Sequence, residues 1–178
     1  VHRVVGVVLF AACAIGTASA AEFDSILRWR NVGPYRGGRT RAICGVPSQP
    51  SVFYMAPVNG GVFKSIDYGR TWQPIFDDQP TASIGAIAVA PSNPNIVYVG
   101  SGEGLHRPDL SVGDGVYKSS DAGKTWMHLG LRDGQQIPQL TVDPKNAERF
   151  FVAVAGHPYG PNEQRCVYRS LDGGKTFE

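Results

Sequence analysis

The chain has 178 residues, 42% hydrophobic and 18% charged, enough for one domain with its own core and free of low-complexity tracts. Lys and Arg total 17 against 15 Asp and Glu, and the resulting +2 lacks the basic field that a nucleic-acid or acidic-membrane binder carries. The 22 glycines and 13 prolines suit short strands joined by turns better than long helices.

The first twenty residues differ from the rest. His2 and Arg3 precede an apolar run, Val4 to Ile15, and Ala18-Ser19-Ala20 forms a small-residue cleavage pattern. This is the signature of a secretory signal peptide, cleaved after Ala20, and it implies a secreted or periplasmic protein. The run is too short to span a bilayer, so no membrane span is expected in this segment. Cleavage is preferred over lipid attachment at Cys13, because Phe10 stands where a lipobox has an aliphatic residue. The chain opens on Val1, which suggests an alternative start codon or a fragment.

Residues 21–178 are organised by a repeat. Gly61-Val-Phe-Lys-Ser-Ile-Asp67-Tyr-Gly-Arg-Thr-Trp72, Gly115-Val-Tyr-Lys-Ser-Ser-Asp121-Ala-Gly-Lys-Thr-Trp126 and Cys166-Val-Tyr-Arg-Ser-Leu-Asp172-Gly-Gly-Lys-Thr-Phe177 align without gaps. The aspartates are spaced by 54 residues (67 to 121) and 51 residues (121 to 172). Each unit begins with an apolar stretch ending in proline, namely Ala42–Pro47, Ala86–Pro91 and Leu140–Pro144. An aromatic, β-branched run follows: Val52–Met55, Ile96–Val99 and Phe150–Val154. Each unit thus reads as four strands, A to D, with C in the Gly-Val-Tyr-Lys-Ser segment and D starting at the Trp or Phe. The expectation is an all-β chain, a β-propeller of four-stranded blades at 40–76, 83–130 and 139–178, about three in number and so an incomplete ring. Continuation of the gene past residue 178 is expected on that ground. Cys44 and Cys166 fall two blades apart, out of disulfide reach, and are expected as buried free thiols.

The repeated turn has a readable chemistry. Asp67, Asp121 and Asp172 sit where a carboxylate can accept backbone N–H groups across the C–D hairpin, next to Ser65, Ser119 and Ser170. Gly69, Gly123 and Gly174 can take the positive φ that such a turn demands. Trp72, Trp126 and Phe177 open strand D with a large apolar surface for packing between sheets. One carboxylate per turn is too few for calcium, and no zinc, EF-hand or P-loop spacing occurs, so neither metal nor cofactor is expected.

Strand alternation puts the A–B and C–D turns on one face and the B–C and D–A loops on the other. The second face carries the longer, variable loops, Gly102–Asp114 and Gly156–Arg165, where ligand binding is expected. The candidates are Arg36, Arg39, Arg41, Glu103, His106, Arg107, His157, Tyr159, Asn162 and Arg165: arginine forks and a stacking tyrosine suit a sugar, an acidic peptide or a carboxylate. Arg39 and Arg41 share a side of their strand by period two.

The motif Ser-x-Asp-x-Gly-x-Thr-Trp resembles the Asp-box, or bacterial neuraminidase repeat. Across residues 30–178 the chain resembles large secreted bacterial Asp-box propellers of sortilin-type or glycosyl-hydrolase-like kind, carried by Gly33-Pro-Tyr-Arg-Gly-Gly-Arg39, Ser83–Pro91, Val99–Gly104 and Gly156–Glu163. The resemblance implies a module that binds a protein, peptide or glycan, as sortilin-type propellers bind peptides and proteins. The alternative it implies is an exported glycoside hydrolase, sialidase- or xyloglucanase-like, with catalytic carboxylates partly beyond residue 178. An assembly role is a third reading, since a plant photosystem II stability factor has the same repeat. No catalytic set carries over. The Arg-Ile-Pro-like motif of sialidases is missing, and where xyloglucanases place an Asp ahead of a Gly-Gly pair this chain has Asn59, in Pro57-Val-Asn-Gly-Gly61.

Overall fold

The computed structural model describes residues 39–105 and 107–178, all within one compact unit, Gly37–Glu178. The signal-peptide region with Cys13, the Gly33–Gly38 stretch with Arg36, and His106 lie outside the described residues.

Eleven strands form three antiparallel sheets among the described residues. The first comprises β1 (Thr40–Gly45), β2 (Phe53–Pro57), β3 (Phe63–Ser65) and β4 (Gln73–Pro74), in that order. The second runs β5 (Ile84–Ala90), β6 (Asn93–Ser101), β7 (Val116–Ser119), β8 (Met127–Gly130). The third has β9 (Gln139–Asp143), β10 (Asn146–Val154) and β11 (Cys166–Ser170). Its fourth strand is represented by Glu178, whose backbone N–H and C=O pair with those of Arg169 at 3.0 and 2.8 Å. The chain is thus nearly all β, with one short 3-10 turn at Arg132–Gly134, and the sheets are successive blades of a propeller that these residues do not close. No described helix is long and apolar enough to cross a membrane.

Burial follows position in the stack. The middle sheet is covered on both faces, so Ile84–Ala90 and Val97–Ser101 are buried almost without interruption and lack polar alternation. In β10, covered on one face, Phe150, Val152 and Val154 are buried while Phe151 is exposed. Two cores result. Tyr54, Ala56, Val62 and Phe76 meet Ile87, Val97, Val99 and Tyr117 between the first and second sheets. Tyr98 and Val116 meet Leu140, Phe150 and Val152 between the second and third. Phe76 packs edge-on to both Tyr117 and Trp126, with ring centroids 5.1 Å apart in each case.

The repeated hairpin has the same geometry three times. The hydroxyl of Ser119 donates to Asp121 Oδ1 at 2.7 Å and accepts the Gly123 N–H at 2.8 Å. Asp121 Oδ1 accepts the Thr125 N–H at 2.9 Å, and Oδ2 accepts the Thr125 hydroxyl at 2.6 Å. The Ser65–Asp67–Thr71 and Ser170–Asp172–Thr176 turns repeat these bonds. The serine, buried in all three turns, is the hub that ties aspartate to glycine. The residue after each aspartate also has positive φ, and its N–H donates to the A–B hairpin of its own blade: Tyr68 to Ser51, Ala122 to Asn95, Gly173 to Glu148. The A–B and C–D turns therefore lie together on one face.

The second and third hairpins also seat the blade before them. A Cβ on Gly123 would come within 2.6 Å of Ile75 Cδ1, and one on Gly174 would collide with Leu129. Glycine is needed there for its φ of 93° and 92° and for room for the preceding blade's D segment. Trp126 Nε1 donates to the Ile75 carbonyl at 2.7 Å, and the Phe177 ring stands edge-on to Phe150 and Tyr168. Trp72 instead donates to Gly69 of its own turn.

Two sequence expectations need correction. Cys44 and Cys166 are free thiols, but Cys166 is exposed and Cys44 only half-buried, because the outer side of β11 carries no sheet among the described residues. A bulge between Thr40 and Ala42 breaks the alternation that would have put Arg39 and Arg41 on one side of a strand.

Two outcomes follow. Trp126→Ala should destabilise the chain by about 3 kcal/mol in chemical denaturation, more than Trp72→Ala, since only Trp126 bridges two sheets here; equal losses would contradict the bridging role. The second concerns acid. The Thr125 hydroxyl and N–H, then Ser119, hold Asp121 down from 3.8 to about 2, and the same bonds do so for Asp67. A folded value below the unfolded one means stability fully present above pH ~4 and lost as pH falls towards 2. Thermal midpoints measured across that interval should fall less steeply in Asp121→Asn than in the parent; parallel curves would show that the turn carboxylate is uncoupled from folding.

Candidate functional site

The opposite face is stitched by backbone bonds between B–C and D–A loops. Gly61 N donates to Ala82 O, Gly102 N to Ser83 O, Ile137 N to Ser101 O and Ala155 N to Gln136 O, at 2.7–3.0 Å. The loop 102–114 rises from the second sheet and 156–165 from the third.

Glu103 is completely buried and would be an uncompensated charge without Arg107. Arg107 Nη2 meets Oε1 at 2.6 Å and Nε meets Oε2 at 3.0 Å, the forked geometry of a strong charge-assisted pair. The free end of the fork, Nη1, reaches Asp109 Oδ2 at 2.6 Å. The hydrogen bonds it donates to Glu103 hold the guanidinium more basic than usual. Arg41 crosses from the first blade: Nε donates to the Glu103 carbonyl at 2.6 Å and Nη2 to the Pro138 carbonyl at 3.0 Å. Tyr159 of the third-blade loop donates its hydroxyl to the Arg107 carbonyl at 2.5 Å. Three successive blades are thereby tied through one loop.

The third-blade loop is braced in the same manner. Arg165 donates from Nε to Ala155 O at 2.7 Å and from Nη2 to the carbonyls of His157 and Gly160. Asn162 Nδ2 donates to Asp133 O at 2.7 Å while its Oδ1 accepts the Gln164 N–H. His157 Nδ1 accepts the Tyr159 N–H at 3.1 Å, and the His157 and Tyr159 rings stand edge-on 6.4 Å apart. Arg39 lies just before β1, exposed, with its carbonyl accepting the Val58 N–H.

Between the two loops is an open cavity of about 310 Å³, lined by Leu105, Leu110, Ala155, Pro158, Gln136 and Arg165 together with Gly104 and Gly156. Gln136 forms its base: the buried side chain accepts the Gly104 N–H at 2.8 Å and donates to Ser111 O at 3.1 Å. The D–A loop that carries it is strained, with Leu131 at φ 58° and Gln135 at φ 53°. Among the described candidates, Glu103, Arg107, Tyr159, Asn162, His157 and Arg165 gather in these two loops and Arg41 supports them from the first blade. Sequence reading passed over Leu105, Leu110, Gln136 and Pro158, because loop leucines and a connector glutamine carry no spacing signal. Among the described residues no three His, Cys, Asp or Glu side chains converge as a metal site.

No protein-family model matches the chain. A xyloglucanase of Paenibacillus sp. is 25% identical over 163 residues, 84% of this chain and 15% of that protein. Among solved structures, an ancestral GH74 enzyme superposes with a TM-score of 0.67 at 23% identity, covering 84% of this chain and 19% of that one. YCF48 bound to D1 peptide superposes at 0.55 with 12% identity, covering 80% and 40%. The chain spans only 12–15% of the length of the curated relatives it matches. These likenesses support the propeller fold drawn from the repeat.

The Glu103–Arg107 pair gives the test of the bracing. Arg107→Ala should lower the thermal midpoint by several degrees by stranding Glu103, whereas Glu103→Gln combined with Arg107→Leu should recover much of the loss. A single substitution without effect would contradict a buried, mutually dependent pair.

Proposed function

We propose that these blades belong to a glycoside-hydrolase-like propeller and hold a glycan on the face formed by loops 102–114 and 156–165. The similarity to a xyloglucanase over 84% of the chain supports this reading above a pure protein-binding module. An exported location, read from the first twenty residues, fits a polysaccharide ligand that lies outside the cell. The exposed ring of Tyr159 beside an open cavity is the kind of surface on which a sugar ring stacks.

In this reading the described blades bind and orient; they do not cleave. Glycoside hydrolysis takes two carboxyl groups across the scissile bond, one of them available as an acid. Glu103 is enclosed and committed to Arg107, Asp109 is paired with the same guanidinium, and position 59 carries an amide. The second reading, a peptide-binding module, draws on the likeness to YCF48 bound to D1 peptide, and both readings use the same face.

Calorimetry with xyloglucan oligosaccharides tests the assignment. Binding without release of reducing ends is expected, weakened about tenfold by Tyr159→Ala and unchanged by Lys124→Ala on the hairpin face. Absence of glycan binding, or loss on the hairpin face alone, would overturn it; peptide binding in its place would favour the second reading.

A further inference from the structure

Among the described residues, the cavity between the two loops is lined by one charged group, Arg165. Arg107, Arg132, Arg149 and Arg169 each have an Asp or Glu partner. Arg165 has none among the described residues; its three hydrogen bonds end on the carbonyls of Ala155, His157 and Gly160. Carbonyl oxygens satisfy N–H groups without neutralising the charge. They also fix the guanidinium in place, so little side-chain entropy is lost when an anion meets it. Nη1 is the atom they leave without a partner among the described residues.

The remaining walls are apolar, Leu105, Leu110, Ala155 and Pro158, and Gln136 is held at both ends by Gly104 and Ser111. At about 310 Å³ the space is at the small end for ligand pockets, room for one ring and not for a chain segment. Apolar walls match the C–H faces of a pyranose, and a fixed, unneutralised guanidinium matches a carboxylate on its rim.

We propose that this cavity is a subsite for an acidic sugar unit, a hexuronate within the bound glycan, whose carboxylate pairs with Arg165 while its ring lies against Leu105, Leu110 and Pro158. This rests on the glycan-binding reading above and adds the chemical class that the site selects.

The test compares, by calorimetry at low salt, a neutral xyloglucan oligosaccharide with a glucuronate-bearing oligosaccharide of equal length. The acidic ligand should bind at least tenfold tighter, with an advantage that shrinks as salt is raised. Arg165→Gln should abolish the preference and Arg165→Lys keep part of it. Because Arg165 also braces its loop, Leu105→Glu serves as an independent variant: it sets a like charge in the cavity without removing any Arg165 bond, and should reverse the preference. Thermal midpoints report whether each variant is folded. Equal binding of the two ligands, or a preference that survives Leu105→Glu, overturns the subsite and leaves the glycan reading intact. Binding of neither ligand overturns both.

Discussion

A serine hydroxyl, an aspartate carboxylate and a threonine, closed on each other within seven residues, set the rest of the structure. The serine bonds to glycine and aspartate, the carboxylate takes the threonine N–H and hydroxyl, and the hairpin that results turns strand C into strand D at a fixed angle. The aromatic residue that follows is then delivered to its packing partner: Trp126 onto Ile75 of the blade before it, Phe177 onto Phe150 and Tyr168. The same turn grips the A–B connection of its own blade through Tyr68, Ala122 and Gly173. A local network of hydrogen bonds therefore governs how sheets stack, which is the long-range order of the fold.

Fixing one face leaves the other able to vary. Its loops have few strand partners, and carbonyls that no strand pairs are left to take other donors. Arginine supplies these. Arg41 serves the carbonyls of Glu103 and Pro138, and Arg165 serves three carbonyls of its own loop. Arg107 pairs with the fully buried carboxylate of Glu103, which has no other charged partner at that distance among the described residues. Side chains suited to ligand recognition thus act first as scaffolding that shapes the cavity, and in the glycan-binding proposal the exposed Tyr159 ring and the charge of Arg165 are the groups a sugar would meet.

This division explains which features were legible in the sequence. The hairpin contacts span two to four residues, so the motif itself displayed the roles of Asp67, Asp121 and Asp172; only the serine's place as hub went unread. Strand positions followed from apolar and β-branched runs, and the division into two faces from strand alternation. Arg41 meets its partners 62 and 97 residues away, distances at which no spacing rule operates. The same holds for Tyr159 and Arg107, 52 residues apart. The bulge at Arg41 and the exposure of Cys166 depend on pairing register and on which sheet face is covered, neither of which is encoded in a single strand's composition.

Hydrogen exchange of the chain with and without a saturating xyloglucan oligosaccharide tests the central claim, that the ligand face is opposite the repeated hairpins. The account predicts slowed exchange in 102–114 and 156–165, with 65–71, 119–125 and 170–176 unchanged. Protection confined to the three hairpins would contradict it.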